Sequence, residues 1–288
     1  MNARLSLAVA LAAAAAFTTA TPARAAQSYD SCTGMIASVP ALISTQGVWC
    51  LSRDFSIGQT TGSAILVEAN NVTIDCNHYK LGGLSAGVET LADGIRSSAS
   101  NTTVRNCNVR GFLRGIHLDA TGNGGHVVED NRLEANRLAG IRVYGDGSVI
   151  RRNTVLDTGT TPTAGGNTIA GIWTSYDVDV LDNMVRGVVG MDDAGAFALG
   201  VNHSSGASGV IAGNRISGLV RSDTGYEVAI FVTSSNVIVR DNYLTRTVSA
   251  ATPVTCTSGT TTVSGNTTSG PGTNIMSVCH NAGGNTSP

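Results

Sequence analysis

The chain has 288 residues and a formal net charge of −2, with 35 Gly, 21 Asn, 5% aromatic and 13% charged residues. That balance excludes a helical bundle and a charge-rich disordered segment. Lys80 is the only lysine, and the slight acidity leaves no basic face for the phosphates of DNA or RNA, so nucleic acid is excluded as a partner.

The first 25 residues read as a signal peptide: Arg4 in a short basic start, an apolar run from Leu5 to Phe17, then Ala23-Arg24-Ala25 as a small-x-small cleavage site. The mature chain is then expected to begin near Ala26, carrying a formal charge of about −4. No other run approaches the roughly 20 apolar residues that span a bilayer. A secreted or periplasmic protein is expected, with no membrane span after signal cleavage. Export permits disulfides, and six Cys allow 15 pairings. Proximity along the chain favours Cys32–Cys50, Cys76–Cys107 and Cys256–Cys279. No CxxC and no Cys/His spacing of a zinc site occurs.

From residue 72 to 266 a short pattern recurs: an apolar residue, two variable residues, Asn, a variable residue and usually another apolar residue. It places Asn at 77, 131, 153, 183, 214, 242 and 266, with Cys107 in the slot after Asn77. Between these slots stands a second motif, Gly-apolar-x-apolar, as in Gly94-Ile95-Arg96-Ser97, Gly115-Ile116-His117-Leu118, Gly140-Ile141-Arg142-Val143 and Gly171-Ile172-Trp173-Thr174. Ala198-Leu199-Gly200-Val201 and Ala229-Ile230-Phe231-Val232 extend it. Both motifs alternate with period two and are too short for helices, so each repeat supplies at least two short strands separated by Asn and Gly corners. A repeat of 22 to 31 residues predicts a solenoid. Its alternate Val, Ile and Leu point inward, and stacked Asn side chains satisfy corner backbone that water cannot reach.

With eight successive slots in agreement, the sequence resembles the right-handed parallel β-helix superfamily, specifically the secreted parallel β-helix repeat proteins allied to pectate lyases and NosD-like proteins. The resemblance implies an all-β, single-stranded right-handed parallel β-helix of about eight turns. It divides the chain into an amino-terminal cap over 26–64, containing Cys32, Trp49 and Cys50, a coil over 65–270 and a carboxy-terminal tail over 271–288. It leaves the chemistry open, because this coil carries lyases, hydrolases, epimerases and adhesins.

Insertions mark where a site could lie. The gap from the residue after the Asn slot to the next Gly motif is five residues (Arg110 to Arg114) and six (Glu134 to Ala139). It then grows to 15 (Leu156 to Ala170), 12 (Arg186 to Phe197) and 12 (Ser217 to Val228). Loops emerging at one corner on consecutive turns build a wall beside the adjacent strands. The variable position of the Gly motif faces outward, giving the stripe Arg96, His117, Arg142, Trp173, Gly200 and Phe231. Arg pairs with carboxylates in a fork and Trp stacks on a pyranose, so Arg96, Trp173 and Phe231 are candidate binders of an acidic polysaccharide. Asp119, Tyr144, Asp177 and His203 are expected beside them.

For a lyase or epimerase, Arg96 or Arg142 would neutralise the sugar carboxylate, His117 would take the α-proton, and Tyr144 would protonate the leaving oxygen. Lys80 is the alternative base. A polygalacturonase-like hydrolase would instead use Asp177, Asp192, Asp193 and His203, although the Asn-Thr-Asp and Arg-Ile-Lys motifs of those enzymes are missing. A third reading is a non-catalytic β-helix that binds a glycan or a surface partner. No cofactor is evident and no acidic cluster has calcium spacing; a divalent cation such as calcium, recruited by loop carboxylates, stays open. A monomer is expected.

Overall fold

The computed structural model describes residues 31–120, 124–159, 168–190, 196–206, 208–221, 225–248, 251–272 and 276–287; the expected signal peptide lies outside them. They coil into a right-handed parallel β-helix. Each turn lays one short strand on each of three sheets, of eleven, nine and ten strands, and every strand pairs with its counterparts one turn away. A representative turn is Thr102–Arg105, Asn108–Arg110 and Arg114–Asp119.

The period-two alternation fixes what faces inward. On the ten-stranded sheet Ile65, Ile95, Ile116, Ile141, Ile172, Val201, Ile230 and Val254 stack in one register column, and all are fully buried. Beside this column runs a glycine column. A Cβ on Gly94, Gly115, Gly140, Gly171 or Gly200 would lie 2.5–2.9 Å from the carbonyl oxygen of the equivalent residue one turn on, so only hydrogen fits there. Gly200 therefore belongs to this column and not to the outward stripe. The motif in that turn is Gly200-Val201-Asn202-His203, two residues later than expected, and Asn202 takes the outward position.

At the corner between the eleven- and nine-stranded sheets a ladder of amides runs through the buried Asn131, Asn153, Asn183, Asn214, Asn242 and Asn266 and ends at the half-buried Asn285. In each rung an Asn Oδ1 accepts from both the backbone N–H and the Nδ2 of the Asn one turn earlier, at 2.9–3.0 Å. The same Nδ2 groups cap corner carbonyls such as Val128 O and Ile150 O. The residue before each ladder Asn is left-handed: Asp130, Arg152, Asp182, Gly213, Asp241, Gly265 and Gly284 have φ of 55–72°, a conformation that Gly, Asn and Asp adopt most readily.

The ladder starts at Cys107, whose N–H donates to Asn131 Oδ1 at 2.9 Å. Asn77 is not part of it. Four residues separate Asp75 from Lys80, where two separate Arg105 from Asn108, so the first corner bulges and Asn77 Nδ2 instead reaches Leu51 O at 3.2 Å. Disulfides join Cys32 to Cys50, Cys76 to Cys107 and Cys256 to Cys279, and suit an extracytoplasmic protein.

Strands of the coil extend into both flanking segments. Gly34–Ile36, Ala41–Ile43, Gly47–Leu51 and Phe55–Ser56 pair in register at one end, and Met276–Ser277 and His280–Gly283 at the other. Among the described residues no helix is long and apolar enough to cross a membrane.

Replacing a ladder amide strands several buried groups at once. Asn183→Ala is expected to lower unfolding free energy by about 2 kcal/mol or more. Asn77→Gly, off the ladder and at a φ of 49° that suits glycine, should cost less than about 1 kcal/mol. Urea denaturation of the two variants measures the contrast.

Candidate functional site

The outer face of the ten-stranded sheet brings the expected stripe together. Register places Leu42, Leu66, Arg96, His117, Arg142, Trp173, Asn202, Phe231, Thr255 and Ser277 in one column. Neighbours along it stand about 4.8 Å apart, the strand spacing. Arg96, His117 and Arg142 are consecutive.

His117 is 4% exposed although it points outward. Its Nδ1 lies 3.1 Å from Asp93 Oδ2; a carboxylate only accepts, so Nδ1 carries the proton and Nε2 keeps its lone pair. Nε2 is buried and has no hydrogen-bond partner. Arg114 grips Asp93 in a fork, Nε to Oδ1 at 2.7 Å and Nη2 to Oδ2 at 3.1 Å. Burial pushes the His117 imidazole below its ordinary 6.5; the Asp93 hydrogen bond opposes this, while the Arg114 and Arg142 charges add to it. At neutral pH His117 is therefore an uncharged imidazole with Nε2 as its basic atom.

Arg142 sits between two aromatic rings, its guanidinium carbon 4.5 Å from the Tyr144 centroid and 5.1 Å from that of Trp173. It donates Nη2–H to Tyr144 Oη. Because that bond uses an oxygen lone pair, the phenol proton stays available for donation. Trp173 Nε1 donates to Ser204 Oγ at 3.0 Å. Asp119 and Tyr144 share the next outward column with Ser175.

Other expected residues lie elsewhere. His203 faces the core: it is fully buried, its Nδ1 accepts from Thr174 Oγ1 at 2.7 Å and its Nε2 donates to Ser208 O at 3.2 Å. Asp177 is exposed at the following corner, where its N–H donates to Asp146 Oδ1. Asp192 and Asp193 fall outside the described residues, so the hydrolase set is not assembled among those described. The expected walls, 156–170 and 186–197, are described only at their ends. Lys80 lies on the nine-stranded sheet, 3.8 Å from Asp54, and does not share a face with His117. Among the described residues no group of three or more His, Cys, Asp or Glu could hold a metal ion.

Asp93, Arg114 and Asn202 are the members of the face that sequence reading missed. Asp93 and Arg114 form the outward column before the glycines, followed by Ala139, Ala170, Leu199 and Val228. An acid one residue before Gly94 and an arginine one residue before Gly115 were a usable signal.

A family model described as the right handed beta helix region matches residues 43–287. An alginate lyase from Paenibacillus sp. str. FPU-7 aligns over 86% of this chain and 97% of its own, with a TM-score of 0.52 and 14% identity. The Dettilon tailspike protein gp208 aligns over 87% of this chain and 57% of its own, with a TM-score of 0.51 and 17% identity. A comparison with curated protein sequences gives no match.

Two further histidines shape the response to acid. Burial lowers both His126 and His203 to about 4. The unfolded chain, near 6.5, binds these protons first, so stability is full above about pH 6.5 and falls as pH drops toward 4. The loss should reach roughly 3 kcal/mol per histidine at the acid limit. Thermal melts from pH 7.5 to 4 should show it, and His203→Gln should be less stable at pH 7 but flatter across that range.

Proposed function

Since the chain belongs to the right-handed β-helix family, we propose that it engages an acidic polysaccharide along the outer face of the ten-stranded sheet and removes a proton there, as a lyase or epimerase does. The observation that supports this most is the in-register trio Arg96, His117 and Arg142, with His117 neutral, its tautomer set by Asp93 and its Nε2 unpaired. The shared fold with an alginate lyase agrees with it.

In this reading Arg96 and Arg142 pair with the uronate carboxylate and stabilise charge that grows as the α-proton leaves. His117 Nε2 takes that proton, and the developing imidazolium is held by the Asp93 carboxylate. In elimination the Cβ–O bond breaks, the electron pair of the C–H bond becomes the new double bond, and Tyr144 protonates the departing oxygen. In epimerisation a proton returns to the opposite face instead. Arg114 positions Asp93 and does not touch substrate. A binding-only role is favoured by one observation: Nε2 is closed to solvent, so the side chains over it must shift before substrate reaches it.

Incubation of the exported protein with polymannuronate, pectate and hyaluronan, followed by unsaturated-product absorbance and by proton exchange into deuterated solvent, separates these roles. Turnover is expected, with the acid limb of kcat/KM below pH 6.5. His117→Gln should lower kcat by about 10²-fold or more with little change in binding. Arg142→Ala should weaken polymer binding about tenfold or more. Retained binding with neither product nor exchange would leave the binding role; absence of binding to all three polymers would sink both.

A further inference from the structure

Beyond the charged trio the same column turns apolar. Phe197, Tyr226 and Phe231, with Val228, Val248 and Ala251, line a cleft of about 480 Å³, a size that holds small-molecule ligands. Phe197 stacks on Tyr226 with ring centroids 5.1 Å apart and lies 6.0 Å from Phe231. Ala170, Leu199 and Val228 back Phe197 and Phe231 as an apolar cluster separate from the main core. Thr252, Thr255 and Ser277 add hydroxyls to the lining. Tyr226 is 59% exposed, so aromatic surface stays open to solvent here.

Asn202 is next in register to Phe231, a residue of the cleft lining, and has Trp173 on its other side. It is 4% exposed, yet its Oδ1 has no hydrogen-bond partner. A buried acceptor is rarely left unpaired, and the missing partner must be a donor. Of the charged groups of the cleft, the Glu227 carboxylate accepts from the Thr247 backbone N–H and hydroxyl, and Arg221 donates Nη1–H to Gly225 O. An ionised sugar would lose its hydration against apolar walls and meet an acceptor at Asn202. A plain hydroxylated sugar could pair with Thr252, Thr255 and Ser277 but has no methyl to set against Val228, Val248 and Ala251. An acetamido group answers both demands: its methyl fills apolar space, and its N–H is the donor Asn202 Oδ1 lacks once that amide, closed to solvent in this structure, turns toward the cleft.

We propose that Asn202 and the Phe197–Tyr226–Phe231 cleft form a subsite for an N-acetylated amino sugar. The inference rests on the acidic-polysaccharide reading of this face and refines it: the polymer carries both uronate and N-acetylhexosamine. Asn202 stands three strands from His117, about 14 Å along the column, so one chain of sugars reaches both.

Saturation-transfer NMR with free N-acetylglucosamine tests the subsite without the charged trio. The strongest transfer is expected at the acetyl methyl, lost in Asn202→Leu and in Tyr226→Ala, the latter a change at an exposed ring that leaves the core intact. Titration with a hyaluronan octasaccharide and its N-formyl counterpart, which keeps the N–H and lacks the methyl, should show the N-formyl form bound about threefold or more weakly. Absent or uniform transfer, or equal affinity for the two octasaccharides, overturns the subsite even where polymannuronate binds well. Failure of both octasaccharides and polymannuronate to bind overturns the subsite together with the reading it rests on. A dimer in sedimentation that Tyr226→Ala converts to monomer makes the cleft a contact between copies and overturns it too.

Discussion

In-register stacking of each turn on the next is the constraint on which everything else here depends. Parallel strands about 4.8 Å apart force each side chain to meet the one a turn away, so a position works only if its residue type tolerates a near-copy of itself above and below. Aliphatic side chains meet this by packing, as in the Ile65-to-Val254 column. Buried polar groups meet it when they carry both donor and acceptor. Asn does, and a ladder of seven amides at one corner results. The outer columns inherit the same registration, and this brings residues as distant in sequence as Asp93 and His117 within hydrogen-bond reach.

The repeat was legible because each recurring residue answers a need that few residue types can meet. Asn at the corner and Gly before the inward Ile have no ready substitutes, so their spacing shows the coil directly. Legibility failed where a different residue imitated the pattern. Ala198-Leu199-Gly200-Val201 has the small-apolar-x-apolar form, and only the close approach of Gly200 to Ala229 O shows that Gly200 starts the motif. That two-residue slip hid Asn202 and placed His203 outside, where the structure buries it. Asn77 misled differently: its spacing from Ile74 fits, but two extra residues lift it out of the ladder. The trio Arg96, His117 and Arg142 was readable because its turns lie before the slip. The Asp93–Arg114 support left only a local mark, an acid and an arginine each one residue before a motif Gly, and that mark does not recur along the coil.

The ten-stranded face is graded along its length. Its earlier turns gather Asp93, Arg96, Arg114, His117 and Arg142; its later turns gather Ala170, Leu199, Val228 and the aromatic rings. Within the column that runs through Ser63 and Asp93, residue type changes from charged to aliphatic between Arg114 and Ala139, so a single strand step divides two chemical environments. Arg142 lies at that boundary, its guanidinium against two aromatic rings. Ionic groups thus come first along this face and apolar groups later, in an order set by chain direction.

The positions of the three disulfides have a consequence for how the coil comes apart. A solenoid is held by nearest-neighbour contacts, so an interior turn must break two interfaces to leave and a terminal turn only one; unravelling from the ends is its cheapest failure. Cys32–Cys50 links the first turns, Cys256–Cys279 the last, and Cys76–Cys107 closes the corner above the amide ladder, where the Asn chain has ended. Covalent bonds thus stand where the noncovalent zipper has no further partner. The coil between them is clamped at both ends, which ties its cooperative unfolding to the redox state of its surroundings.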